Sequence, residues 1–202
     1  GQMYSAGLSF NYDKYDEDFR DPVFNYGEDI STDFINMKRE ERVPGAFFQY
    51  TGEFLDQRFI VMAGLRYDYH NIFGSIWTPR AHIMYKPDEF TSIKATFGRG
   101  LRTPNILAEN SYLLASAANF YVNGELLGKN PALLDDLKME DSWNFGANVN
   151  RKFEVFGRTL NINLDYYHTK FNDQVVVDNE TAYNKVNFYN LDGKSYSNCY
   201  QV

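Results

Sequence analysis

Apolar and polar residues alternate with a period of two along several long segments of this chain, the signature of β-strands with two unlike faces. Tyr4, Ala6, Leu8, Phe10 and Tyr12 interleave with Ser5, Gly7, Ser9 and Asn11. Ala46, Phe48, Tyr50 and Phe54 do so with Gln49, Thr51 and Glu53, and the residues from Phe59 to Tyr69 repeat the pattern. It returns around 81–85, 93–97, 143–149 and 160–166, with weaker candidates near 185–191 and 195–202, so the pattern predicts about nine strands.

The best segments reach roughly ten residues, the length a tilted strand needs to cross a bilayer and longer than most soluble strands. Charged residues inside them keep to the polar parity, as a lipid-facing surface would require at about 2–4 kcal/mol per misplaced charge at the midplane. Tight connections are expected at Asp56-Gln57, Pro87-Asp88-Glu89 and Asp192-Gly193-Lys194. Long ones are expected at 13–43, 100–140 and 172–184, with 71–76 the short member of that set. Short turns alternating with long loops are the habit of outer-membrane barrels, so the short turns are assigned to the periplasm and the loops to the cell exterior. The expected fold is all-β: an antiparallel transmembrane barrel, of which the 202 residues form one partial domain.

Composition sharpens this picture in a few places. No apolar run is long enough for a membrane-spanning helix, so any span has to be built from strands. Aromatic residues make up 17% of the chain, with 16 Tyr and 17 Phe, and they gather near strand ends where an apolar body with a polar tip suits an interface. A net charge of −7 disfavours nucleic acid as a partner, and the single Cys199 excludes an internal disulfide.

The chemistry on offer is that of binding. His70, His82 and His168 lie in different strands and no nucleophile elbow is present, so no catalytic site is expected. Arg58, Arg66, Asp68, Arg80, His82 and Lys94 share the polar parity and are expected to face a wet or plugged lumen, pairing across strands or guiding an anionic ligand. In the acidic loop, Asp13, Asp16, Asp18 and Asp21 could hold calcium, although a solvated loop is the commoner outcome. The excursion from Arg102 to Glu140 carries too much apolar surface to stay solvated. Its Tyr112, Asn119, Phe120 and Tyr121 could contact a bulky ligand, or the whole loop could simply pack on the barrel rim.

Trp77-Thr78-Pro79-Arg80 opens one strand, Tyr85-Lys86-Pro87 closes it, and Phe97-Gly98-Arg99-Gly100-Leu101-Arg102-Thr103-Pro104 leaves the next, with Glu109 following. Asn130-Pro131 with Leu137-Lys138-Met139-Glu140 reads as a strand re-entry, and Asn190-Leu191-Asp192-Gly193 as a late periplasmic turn. In this order the motifs resemble the barrel of TonB-dependent outer-membrane receptors, with Leu101 where Phe is usual and Met139 where Pro is usual. The resemblance implies a Gram-negative outer-membrane protein with about twenty-two strands around a plug, neither plug nor TonB-engaging segment being recognisable here. It further implies import of a scarce nutrient such as a ferric siderophore, haem or cobalamin, driven by TonB-ExbB-ExbD, with lipid around the barrel and room for a surface lipoprotein. The competing readings are a passive porin or surface adhesin and a soluble β-rich binding module.

Overall fold

The computed structural model describes residues 1–21, 33–115, 118–127, 130–182 and 184–202. Its main body is one antiparallel sheet of eight strands. In spatial order these are β1 (Gln2–Asp21), β2 (Asp33–Phe54), β3 (Phe59–His70), β4 (Gly74–Tyr85), β5 (Thr91–Arg102), β8 (Glu140–Val155), β9 (Arg158–Asn172) and β12 (Ser195–Gln201). Four shorter strands make a second sheet in the order β10 (Val175–Asp178), β11 (Lys185–Asn190), β6 (Asn119–Val122) and β7 (Glu125–Leu126).

The register carries the period-two pattern from strand to strand. Tyr50 lies opposite both Tyr4 and Ala63, Ala63 opposite Ala81, Ala81 opposite Phe97, and Phe97 opposite Phe145. Because directly opposed residues share a face, one surface of the sheet is aliphatic and aromatic along these rungs. Its side chains stand free of the protein, Leu8 being 87% exposed, as expected of a surface meant to be covered by lipid. Trp77 against Tyr67 places an aromatic pair toward the strand ends of that surface, and Tyr200 against Tyr166 places another at mid-sheet.

At one end of the sheet the connections are short. The β2–β3 turn uses Leu55, Asp56 and Gln57 in left-handed backbone, and β8–β9 closes through Phe156 and Gly157 with φ of 50° and 70°. The β4–β5 turn is held by Asp88, whose Oδ1 accepts from the Phe90 N–H at 2.8 Å and whose Oδ2 accepts from the Thr91 hydroxyl at 3.1 Å. At the other end lie the tight 71–73 connection, the 103–139 excursion and the 173–194 return.

Three expectations change here. Residues 13–21 and 33–43 are not loop: they continue the β1–β2 ladder up to the Asp21–Asp33 pair. Alternation fades there because charged residues take both parities, which hides a strand from a hydrophobic pattern without preventing its hydrogen bonds. The 185–191 candidate is not a wall strand, since β11 pairs in parallel with β6 in the small sheet. In consequence Asp192-Gly193-Lys194 leads from the small sheet into β12 at the long-loop end, opposite to the side assigned from sequence. The tight turn at that stage of the chain is Phe156-Gly157.

The buried core lies in the small sheet and its helical turns. Phe120, Val122, Val186 and Phe188 pack against Ile106 and Leu107 of α1 (Ile106–Glu109), Leu113, Leu127, and Leu133, Leu134 and Leu137 in and beside the 3-10 turn Pro131–Asp136. Tyr15, from the polar face of β1, packs against the same cluster, so the excursion leans on that face of the wall.

Leu127 is fully buried, and its truncation to alanine should cost about 2–5 kcal/mol within the small unit. Limited proteolysis should then cut 103–139 and 173–194 while the heat-resistant barrel band persists; parent-like resistance would contradict an excursion with its own core. At the opposite end, the Phe90 amide and then the Thr91 hydroxyl hold the Asp88 carboxyl below its ordinary range. A lowered folded value means the turn gains from ionised Asp88 above the ordinary aspartate pKa of about 3.9 and loses that gain as pH falls through the lowered one. Carboxyl NMR should find Asp88 titrating below an ordinary aspartate, and a midpoint at or above it would contradict the capped turn.

Candidate functional site

The polar face is a lattice of paired groups. Arg66 grips Asp68 two-pronged, Nε to Oδ2 and Nη2 to Oδ1 at 2.7 Å each, and Nη2 also donates to Ser9 Oγ at 2.8 Å. This couples β3 to β1 across β2, which is possible because the intervening residue is glycine. A Cβ at Gly45 would fall 2.0 Å from Asp68 Oδ1. Arg80 donates to Gln49 Oε1 at 2.8 Å, again over a glycine, Gly64. Farther round, Asn148 donates to Asp165 Oδ1 at 2.7 Å and to Asn163 Oδ1 at 2.9 Å.

Lys94, Asn148, Asp165 and Tyr167 border a recess of about 240 Å³ whose floor is Gly146, where a Cβ would meet Thr96 Oγ1 and the Tyr167 ring. The register puts Arg66, Asp68, Arg80, His82 and Lys94 on this one face. Arg58 is the exception: it sits exposed in the β2–β3 turn, where its N–H closes on the Leu55 carbonyl.

At the long-loop end the motif residues act as fasteners. Arg102 donates from Nε to Glu140 Oε2 at 2.6 Å and meets Glu109 Oε1 at 3.1 Å, so one guanidinium ties the start of the excursion to its re-entry. Glu140 Oε1 in turn accepts from the Val175 N–H at 2.9 Å, bringing in the second return. Pro104 is buried at the base of the excursion, and Gly100 keeps the ladder clear for Ser142, whose Oγ would lie 3.2 Å from an added Cβ. Gly98 has open space around it, and the structure offers no packing reason for a glycine there. Pro79 and Arg99 lie on the apolar parity just past Arg80–Gly98, where the β4–β5 rungs end. Arg99 pairs with Asp141 through Nε to Oδ1 at 2.9 Å and donates to the Trp77 carbonyl at 2.9 Å, which neutralises a charge on the outward surface near the strand ends.

A buried charged cluster escaped the sequence reading. Arg39 and Glu41 of β2 and His70 of β3 are each 8% exposed or less. Arg39 Nε lies 2.9 Å from Glu41 Oε1, an ion-pair contact without hydrogen-bond alignment, and its guanidinium stacks 5.4 Å from the Phe73 ring centroid. His70 Nδ1 accepts from the Ile72 N–H at 3.2 Å, which leaves Nε2 toward Glu41 Oε2 at 3.4 Å. Arg39 also reaches to within 3.9 Å of Asp135 on the excursion. Arg39 and Glu41 fell in the stretch read as loop, whereas His70 was placed at the end of a strand; a continued β1–β2 ladder would have put Arg39 and Glu41 on the lumen parity with Asp13 and Tyr15.

The excursion separates its own candidates. Phe120 is 4% exposed and stacked 6.2 Å from Phe188, so it is a core residue and does not meet a ligand. Strand parity puts Asn119 and Tyr121 on the other face of the small sheet, beside Lys185, Asn187 and Tyr189 of β11. There the Lys185 ammonium rests 4.0 Å from the Tyr121 ring centroid. Tyr112 is 67% exposed. The acidic candidates are strand residues: Asp13 and Asp21 fall on one parity, Asp16 and Asp18 on the other, opposite Glu41, Asp33, Lys38 and Asn36 respectively. The side chains of Asp18 and Asp21 lie outside the described residues.

Comparison with known proteins agrees with this arrangement. A family signature described as "TonB dependent receptor-like, beta-barrel" matches residues 1–198. A probable TonB-dependent siderophore receptor, PirA of Acinetobacter baumannii, is 26% identical over 157 residues, covering 75% of this chain and 19% of that protein. The crystal structure of the siderophore receptor PirA from Pseudomonas aeruginosa superposes with a TM-score of 0.66 at 17% identity, over 98% of this chain and 32% of that one. A mutant of the ferric enterobactin receptor PfeA from the same organism, in complex with enterobactin, gives 0.67 at 17% identity over 98% and 30%. The chain therefore spans about a third or less of the relatives it matches, and the solved structures speak for the fold. Members of this family are Gram-negative outer-membrane proteins, receptors rather than enzymes. With its alternating wall, its fastened excursion and a match over nearly its whole length, the chain belongs to the TonB-dependent receptor β-barrel family.

Proposed function

We propose that this chain forms part of the barrel wall and outer loops of an outer-membrane receptor that imports a ferric siderophore, energised by the TonB-ExbB-ExbD complex. The observation that carries the reading is the excursion itself: a unit with its own core, leaning on the polar face of the wall and fastened there by Arg102, Glu140 and Arg39. A passive pore has no need of so large an ordered structure over its polar face, and an adhesin has no need of a wall lined with paired charges. The siderophore assignment rests on the relatives, whose names give siderophore or ferric enterobactin receptor.

In this reading the small-sheet face bearing Asn119, Tyr121 and Lys185, together with the exposed Tyr112, supplies the first contacts. Rings offer stacking, amides hydrogen bonds, and the lysine a charge for an anionic chelate. Calcium at the acidic stretch remains a proposal, and the ladder turns Asp13 and Asp16 to opposite faces, so these two would not share one ion.

In a strain lacking the receptor, the full-length gene should restore uptake of radiolabelled ferric siderophore only where TonB is intact. Replacing Tyr112, Tyr121 and Lys185 by alanine should weaken binding about tenfold or more with normal surface expression, as for loss of two stacking contacts and one charge. TonB-independent uptake would refute the energised mechanism, and parent-like binding would move the contacts elsewhere. The reading also fixes the sides of the membrane. A cysteine at position 193 should react with outer-membrane-impermeant label in intact cells, and one at position 88 should not; the opposite pattern would invert the topology.

A further inference from the structure

The β8–β9 hairpin is the odd member of the short-turn end. The last rung between β5 and β8 is Thr91–Arg151, yet the β8–β9 ladder runs on to Val155–Arg158, so the tip projects four rungs, about 13 Å, beyond β5. At the tip sits Phe156, 102% exposed and held at φ 50°, where asparagine or glycine would sit with less strain. No packing in the described structure accounts for it.

The charge of this hairpin also differs from that of its neighbours. Residues 151–158 carry Arg151, Lys152 and Arg158 against Glu154, whereas the other two short connections hold Asp56 with Arg58, and Lys86 with Asp88 and Glu89. Parity decides where these cations point. Arg151 follows Val149 on the outward surface and Arg158 lies opposite Val155 on the same surface, with Phe153 and Leu160 between them. Arg151 lays its guanidinium 5.3 Å from the Phe153 ring centroid, and the described carboxylate that feels it is Asp88. Arg151 takes part in no ion pair among the described residues. Elsewhere on that surface Arg99 is neutralised by Asp141. Two arginines on the lipid side, at the level where strands end and beside a bare phenylalanine at the tip, fit the phosphate layer and not the hydrocarbon.

We infer that the β8–β9 hairpin is a lipid-binding element, with Arg151 and Arg158 engaging the headgroups of anionic phospholipid in the leaflet at the short-turn end and Phe156 seated among them. The inference rests on the membrane-spanning reading of the proposed function and adds a ligand class to a part of the wall that the transport reading does not use.

The test uses the full-length receptor reconstituted in phosphatidylcholine vesicles with and without phosphatidylglycerol. The substitution Phe156→Trp adds a fluorophore at the tip, read against the parent, whose Trp77 and Trp143 lie toward the other end. Brominated phosphatidylglycerol should quench the added fluorescence at much lower mole fraction than brominated phosphatidylcholine, and salt should weaken the preference. Arg151→Gln with Arg158→Gln should lower that preference roughly thirtyfold, at about one unit of surface attraction per arginine, with the heat-resistant band unchanged. Phe156→Asn, which suits the left-handed turn, should keep the fold and lose part of the lipid-dependent rise in melting temperature. Equal quenching by the two lipids, or an unaltered preference in the double arginine variant, would overturn the inference and leave the barrel reading standing. Failure of the receptor to insert into either kind of vesicle would overturn the membrane reading and this inference with it.

Discussion

Everything in this chain hangs on the antiparallel ladder and the parity it imposes. In hydrocarbon an unpaired backbone N–H or C=O costs several kcal/mol, so a strand that crosses must give its hydrogen bonds to neighbours on both sides. Once those bonds set the register, each residue is committed to lipid or lumen, and a slip by one would put Arg66 and Asp68 in the bilayer and Leu65 and Tyr67 in the lumen. The long, directly matched rungs from Tyr4 to Phe145 are the physical form of that commitment.

Parity on the polar side brings a crowding problem, and glycine resolves it. Long charged side chains on adjacent strands stand side by side, and a third strand can join them only if the residue between has no side chain. Gly45 beneath the Asp68 carboxylate and Gly64 beneath the Arg80 stem both serve in this way. The polar face is therefore held by contacts that skip a strand, Arg66 to Ser9 and Arg80 to Gln49, as well as by the ladder.

The wall was legible because the period-two pattern is local and bilayer chemistry enforces it residue by residue. The tight turns Asp56-Gln57 and Pro87-Asp88-Glu89 were legible for the same reason, since turn chemistry sits within a few residues. The small sheet was not. Phe120 and Phe188 meet through a parallel pairing of segments about seventy residues apart, and a four-residue strand shows too little alternation to announce itself. The 185–191 segment alternates like a wall strand because it does have two unlike faces; its buried face meets the excursion core, a distinction that period alone does not carry. That one misplacement moved 192–194 to the wrong side. Arg39, Glu41 and His70 were missed for a related reason, as a buried charged cluster depends on what lies against it, and here that includes the Phe73 ring beside Arg39 and His70 and the approach of Asp135 from the excursion.

The shared core has a mechanical consequence for the site. Val186 and Phe188 from the second return are packed into the same cluster as Phe120 and Leu127 from the first excursion, so neither segment can shift by much without opening a cavity in the other. Asn190 reinforces this by accepting from the Lys138 N–H at 2.8 Å while donating to the Lys138 and Asp173 carbonyls. The unit is joined to the wall more lightly, through the half-exposed Arg102 pairs, the approach of the buried Arg39 to the half-exposed Asp135, the Val175 N–H bond to Glu140 and the Tyr15 contact. Solvent-exposed ion pairs contribute little, typically under about 1 kcal/mol each. The division of strength is therefore a stiff two-segment unit on a compliant attachment, and a ligand touching Tyr121 would displace β6 and β11 as one body relative to the wall.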